Sequence, residues 1–309
     1  MKLRNRLFAL LLTPLLASGA APSGDELEPG LETMWEVLWH QSGTPTRLVR
    51  WEGDIRMRLS GVDSPQHRQT VLKALQAVMQ EAGIRLIDVT DQPAHSANLS
   101  VEITPDTALE DVQPCVTVLD FRTEAQIDTA RVQMRSKDAW RCAHHEAMHV
   151  MGVRGHPSGR TVLSYFPAKV DALEPLDRIM LRAWYSPRMR GGMAPFEAMN
   201  VLADALVTAQ PDPALALALP VRDQFFSTTV QRMNAYARGQ GDVPAAVRRS
   251  GKATEEGVRW GRAEMSYFLG VAYLQGATVP ADRKQAIQWF ERAASTGNPT
   301  AQARLGSFR

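Results

Sequence analysis

The run Cys142-Ala-His-His-Glu-Ala-Met-His-Val-Met-Gly152 constrains this chain more than any other stretch. Within it, His145-Glu146-Ala147-Met148-His149 has the form HExxH. On a helix, residues four apart share a face, with Cβ atoms about 5–6 Å apart. Two imidazoles so placed can converge on one Zn²⁺ at about 2.0–2.1 Å. Glu146 sits a fraction of a turn away and reaches water at the metal rather than the metal itself. Such a set can split an amide bond with activated water. His144 does not fit the scheme, because its i+4 partner is Met148.

The residues after the motif narrow the reading. Gly152 comes three residues after His149, where a helix can end in a residue at positive φ. His156 comes four residues later, and then Thr161-Val-Leu-Ser-Tyr165-Phe. Here the chain resembles the metzincin clan of zinc peptidases, whose pattern is HExxHxxGxxH and then a tight turn carrying Met. His145, Glu146, His149 and Gly152 match in position. His156 falls one residue late, because Gly155 holds the expected slot. Leu163 stands where the turn Met is expected, and Tyr165 keeps its place two residues on. Leu173-Glu-Pro-Leu-Asp177-Arg-Ile-Met-Leu-Arg-Ala-Trp-Tyr185 resembles the clan's final helix. The stretch from Leu48 to about Leu206 is also similar to an uncharacterised family of bacterial secreted zincin-like domains.

The resemblance implies an α+β, zincin/metzincin-like domain with a mixed sheet and an active-site helix. It implies that His145, His149 and His156 hold Zn²⁺ and that Glu146 is the general base. It further implies that Tyr165 donates to the oxyanion and that Asp177 fixes its helix against the zinc helix. In another zincin group, the gluzincins, the third ligand is an acid on a later helix. Glu174 or Asp177 could take that part here.

The N-terminus reads as a secretory signal over residues 1–21. Lys2, Arg4 and Arg6 form a basic region, Leu7 to Leu16 an apolar core, and Ala17 to Pro22 a small-residue cleavage region. The apolar stretch is too short to span a bilayer, and no Cys stands at the cleavage region to carry a lipid anchor. Removing residues 1–20 takes away three basic residues and no acidic one, so the net charge falls from +2 to −1. A near-neutral chain gives no reason to expect nucleic acid or an anionic membrane surface as partner. Cys115 and Cys142 are the only two cysteines. In an exported chain they suggest one disulfide. Closing that loop of about 28 residues stabilises by about 3–4 kcal/mol in the chain-entropy model.

Along the chain, residues 22–45 lack a clear pattern and read as a lead-in segment. Leu48 to Trp51 and Ile55 to Leu59 alternate like strands. A helix runs from Pro65, with Val71, Leu72, Leu75, Val78 and Met79 at helical spacing, to near Gly83. Ile84 to Val89, Leu99 to Ile103, Cys115 to Leu119 and Ile127 to Met134 read as strands. Pro175 to Tyr185 and Pro195 to Val207 read as helices. Gln210-Pro-Asp-Pro213 then breaks the pattern, which gives a zincin-like domain over 46–209 and a linker over 210–218. Under this division a chain ending near Ala209 holds the whole site by itself.

Residues 219–309 repeat. Leu269-Gly270 recurs as Leu305-Gly306, Gly261 as Gly297 and Val243-Pro244 as Val279-Pro280, a period of about 36 residues that means stacked helical hairpins. The unit from Ala263 to Gly297 is similar to the Sel-one-like repeat, a relative of the tetratricopeptide repeat, which implies protein binding. The alternative is a helical buttress with no partner. Gly251-Lys252 does not form a phosphate loop, since Ala246 holds the first glycine position and Thr254 is one place late.

The leading expectation is a secreted or periplasmic zinc metallopeptidase acting on a peptide or protein, with no stable membrane insertion once the signal is removed. Two other readings stand beside it. One is a non-catalytic zinc-binding protein of zincin fold that acts as an adaptor through its repeats, favoured by the missing turn Met and opposed by the intact Glu146. The other is an amidase of cell-wall peptides, served by the same site.

Overall fold

The computed structural model describes residues 26–62, 65–164, 170 and 172–308. The expected signal peptide and Tyr165 lie outside the described residues.

The first described element overturns the expectation of a loose lead-in. Helix α1, Leu27–Glu36, is buried along Leu27, Leu31, Met34 and Trp35. Its apolar residues recur at i, i+4 and i+7, the stripe of a core-facing helix. The stripe is short and interleaved with Glu, Pro and Gly, which hides it in the sequence.

Five strands form one mixed sheet. They are β1 Ile55–Gly61, β2 Leu86–Asp88, β3 Leu99–Thr104, β4 Cys115–Phe121 and β5 Ile127–Arg135, in the spatial order β2-β1-β3-β5-β4. The pairs β2–β1, β1–β3 and β3–β5 are parallel, while β4 runs antiparallel to β5 at the edge. Ile55, Met57 and Leu59 of β1 and Leu99, Val101 and Ile103 of β3 are buried in alternation, as one face of a pleated sheet requires. Leu48 to Trp51 does not join the sheet as a strand. It is tied down by one bridge, Arg50 to Gln126, and by the Leu48 N–H donating to Met193 O at 2.9 Å. Alternation alone cannot tell a paired strand from an extended segment held by other partners.

Helix α2, Pro65–Ala82, covers the sheet with Val71, Ala74, Leu75, Val78 and Met79. Helix α3, Ala139–Val150, packs against α2, β4 and β5 and carries the HExxH residues. Cys115 at the head of β4 is bonded to Cys142 on α3, with Cα atoms 6.1 Å apart and a sequence separation of 27. This is the disulfide that the two-cysteine count suggests. It clamps the edge strand to the helix three residues before His145. Replacing both cysteines by Ser is expected to lower unfolding stability by about 3–4 kcal/mol. Urea titration of the oxidised and doubly substituted proteins would read this, and coincident curves would refute it.

Helices α4, Pro175–Trp184, and α5, Pro195–Thr208, come after the HExxH region. The C-terminal part is all helical: α6 Asp212–Arg238, α7 Ala245–Arg249, α8 Glu255–Gln275, α9 Arg283–Ser295 and α10 Pro299–Gly306. The expected linker over 210–218 is instead the start of α6. Pro213 lies in the first helical turn, where its missing N–H has no intrahelical partner to lose. Proline there opens a helix rather than breaking one. The two halves are accordingly not separate bodies. One buried apolar cluster runs from Leu27 to Ala301. Arg47 Nη2 donates to Tyr267 OH at 2.6 Å, and Arg232 pairs with Glu32 at 2.6 Å.

Candidate metal centre and cleft

Helix α3 brings His145, Glu146 and His149 into the interior, at 8%, 3% and 9% exposure. Each of the two histidines is oriented by a backbone carbonyl. His145 Nδ1 lies 2.8 Å from Val162 O and His149 Nδ1 lies 2.6 Å from Val153 O. A carbonyl only accepts, so Nδ1 carries the proton and Nε2 presents a lone pair. The third imidazole arrives from the loop after α3. The Nε2 atoms stand 3.1 Å apart for His145 and His149, 3.0 Å for His149 and His156, and 3.3 Å for His145 and His156.

This geometry fits a metal. Four-coordinate zinc at 2.0–2.1 Å separates its ligand atoms by about 3.3 Å. Two inward lone pairs 3.1 Å apart repel unless a cation lies between them. Burial holds His145 down to about 4 and His156 to about 3, and drives His149 well below its usual value, so all three stay neutral, as ligands must.

The late position of His156 has a local cause. Gly152 ends α3 at φ 89° with its α-carbon against Val49 O, where a Cβ would collide. Gly155, in the slot where the motif leads one to expect His, is pressed against Glu36 O and Val37, at the end of α1. No side chain fits there, and the imidazole comes from the next residue. The same loop is tied to α1 through Glu36 Oε2, which accepts from Ser158 N at 2.8 Å and Ser158 Oγ at 2.9 Å. Glu36 in turn pairs with Arg249 of α7 at 2.7 Å.

Among the described residues, the set of ligand atoms within 4.8 Å of one another consists of these three histidines. Glu174 is turned to Arg160 at 3.1 Å. Asp177 is fully buried, and its Oδ2 accepts from the Val162 N–H at 3.1 Å and the Glu174 N–H at 2.9 Å. Burial raises its carboxyl to about 7. Asp177 thus holds the 161–164 turn, whose Val162 carbonyl orients His145, rather than reaching α3. Leu163 fills the buried floor of that turn.

Glu146 points to the edge strand. Its Oε2 accepts from Thr117 Oγ1 at 2.6 Å, and its Oε1 lies 4.0 Å from His145 Nε2. Burial pushes its carboxyl up to about 7, with the Thr117 bond opposing. It opens on a cleft of about 270 Å³ formed by β4 from Cys115 to Phe121, His149, Arg154 and His40.

Sequence reasoning missed His40. It sits on a tight loop after α1, with its N–H donating to Thr44 O at 2.9 Å and its carbonyl accepting from Gly43 at 2.9 Å. The Ser42 backbone N–H donates to His40 Nδ1 at 3.2 Å. Nδ1 is therefore the acceptor, and the neutral ring carries its proton on Nε2. This is the opposite tautomer to that of His145 and His149. Burial, with Arg154 nearby, lowers His40 to about 4 and keeps it neutral. It stands more than a hundred residues before the motif, and no spacing ties it to α3.

A Sel1 repeat matches residues 263–298, which takes in most of α8 and all of α9. No curated protein and no solved structure matches the chain. A second family model matches residues 37–204, from the end of α1 through most of α5, and includes His40, β4, the three converging histidines and Glu146. That span is more than half of the 309 residues, and the chain belongs to the family described as "Protein of unknown function (DUF2927)".

Proposed function

We propose that this protein is an exported zinc peptidase of zincin-like fold. The observation that carries the reading is the buried convergence of three Nε2 atoms with a carboxylate, Glu146, beside them at the wall of a cleft. Zinc held by His145, His149 and His156 would supply Lewis acidity and draw the pKa of water toward neutral. Glu146 takes a proton from the attacking water as the new C–O bond forms, and delivers it to the amine nitrogen as the C–N bond breaks. His40 supplies the Nε2–H that the carbonyl oxygen accepts as it gains charge. Tyr165 is a further donor in this reading, from its place in the motif. The β4 edge, unpaired on its outer side within the sheet, offers its backbone to an extended peptide.

The disulfide suits an oxidising compartment. Among the described residues, no helix is long and apolar enough to cross a membrane. The Sel1 repeat supports contact with a protein partner as a second role of the C-terminal helices.

The test is metal removal with a broad substrate set. The purified protein is expected to hold one zinc and to cleave members of a peptide library. A chelator should abolish cleavage, and stoichiometric zinc should restore it. Cleavage confined to cell-wall peptides would assign an amidase. One bound zinc with no cleavage of any substrate would leave the adaptor reading and overturn this one.

A further inference from the structure

Arg154 is the one permanent cation lining the cleft, and it has no acidic partner among the described residues. It lies between Gly152 and His156 on the third-ligand loop, half-buried, with Cζ 5.8 Å from the centroid of the Phe121 ring at the end of β4. Several arginines elsewhere are ion-paired, among them Arg135 with Asp138, Arg249 with Glu36 and Arg178 with Glu81. The only acid lining the cleft is Glu146, and its Oε2 is taken by Thr117 rather than by Arg154. A guanidinium withdrawn from water without a counter-charge is unfavourable, so buried charges are normally paired. The three proposed ligands are neutral, so they add no negative charge to offset it. The fork of an Arg matches a carboxylate with two parallel hydrogen bonds.

We propose that Arg154 makes the cleft selective for peptides that carry a carboxylate close to the bond presented to Glu146, supplied by an Asp or Glu side chain or by the peptide's own C-terminus. The substrate then provides the counter-charge that the protein lacks. The proposal deepens the peptidase reading and rests on it for the identity of the bound chain, but binding can be read without hydrolysis.

The experiment uses the full, zinc-loaded Glu146→Gln protein and calorimetry. A set of hexapeptides places one Glu, one Gln or one Lys at each position in turn, each with a free or an amidated C-terminus. At one position or at the terminus, the carboxylate form is expected to bind about tenfold tighter or more. Adding Arg154→Gln should bring the paired peptides to the same affinity while zinc content stays at one. Adding Arg154→Glu should reverse the preference toward Lys. Loss of the preference on amidation identifies the terminal carboxylate, and persistence with an internal Glu identifies the side chain; either supports the proposal. Equal binding of Glu, Gln and amidated peptides, or a preference that survives Arg154→Gln, overturns it. If the wild-type protein cleaves none of these peptides yet shows the Arg154-dependent preference, the peptidase reading falls and the carboxylate site stands.

Discussion

Glu146→Gln is expected to leave one zinc bound and to lower peptide hydrolysis by about 10²–10⁴-fold, the range that a positioned general base contributes. The substitution keeps the shape of the side chain and an oxygen for Thr117 Oγ1, which now sits 2.6 Å from Oε2. Only the capacity to carry a proton is removed. Zinc content is measured by mass spectrometry and turnover on the best library peptide by chromatography. His149→Ala provides the contrast, since it deletes an Nε2 that stands 3.1 Å and 3.0 Å from the other two, and should lose both metal and activity. Wild-type turnover in Glu146→Gln would remove the carboxylate from the mechanism.

Deleting residues 210–309 is expected to prevent cooperative folding of the remainder. The linker reading treats the first half as self-sufficient, but the core does not divide there. Helix α6 packs on both α1 and α5, and α8 packs on α5. Each large apolar side chain that its cover abandons loses about 1.5–3 kcal/mol, against a total stability of about 5–15 kcal/mol for a typical domain. Polar ties go as well, among them Arg47 to Tyr267 and Glu36 to Arg249. Circular dichroism during heating, with zinc content beside it, decides the matter. A sharp transition with one zinc retained in the 26–209 chain would show that the halves are independent after all.

The contrast between the legible and the hidden features comes from the range of the interactions. The HExxH helix could be read because the spacing of His145 and His149 and the stop at Gly152 are local facts about one helix. The disulfide could be read because two cysteines allow a single pairing. Helices α2, α4 and α5 carry long stripes or a proline at their first position. In contrast, α1 is one short stripe whose meaning depends on α5 and α6. Pro213 reads as a breaker or an opener according to the helix it starts. The shift of His156 is explained by Gly155 meeting the end of α1. His40 and Arg154 come together only when the loop after α1, β4 and the loop after α3 surround one cleft.

The clamp of Glu36, Ser158 and Arg249 has a consequence in time. Synthesis delivers a chain from its N-terminus onward. His145, His149 and His156 all emerge well before Arg249, so the loop that carries the last imidazole waits for its final tie until α7 has arrived. The proposed site is thereby fastened only after most of the chain has been made.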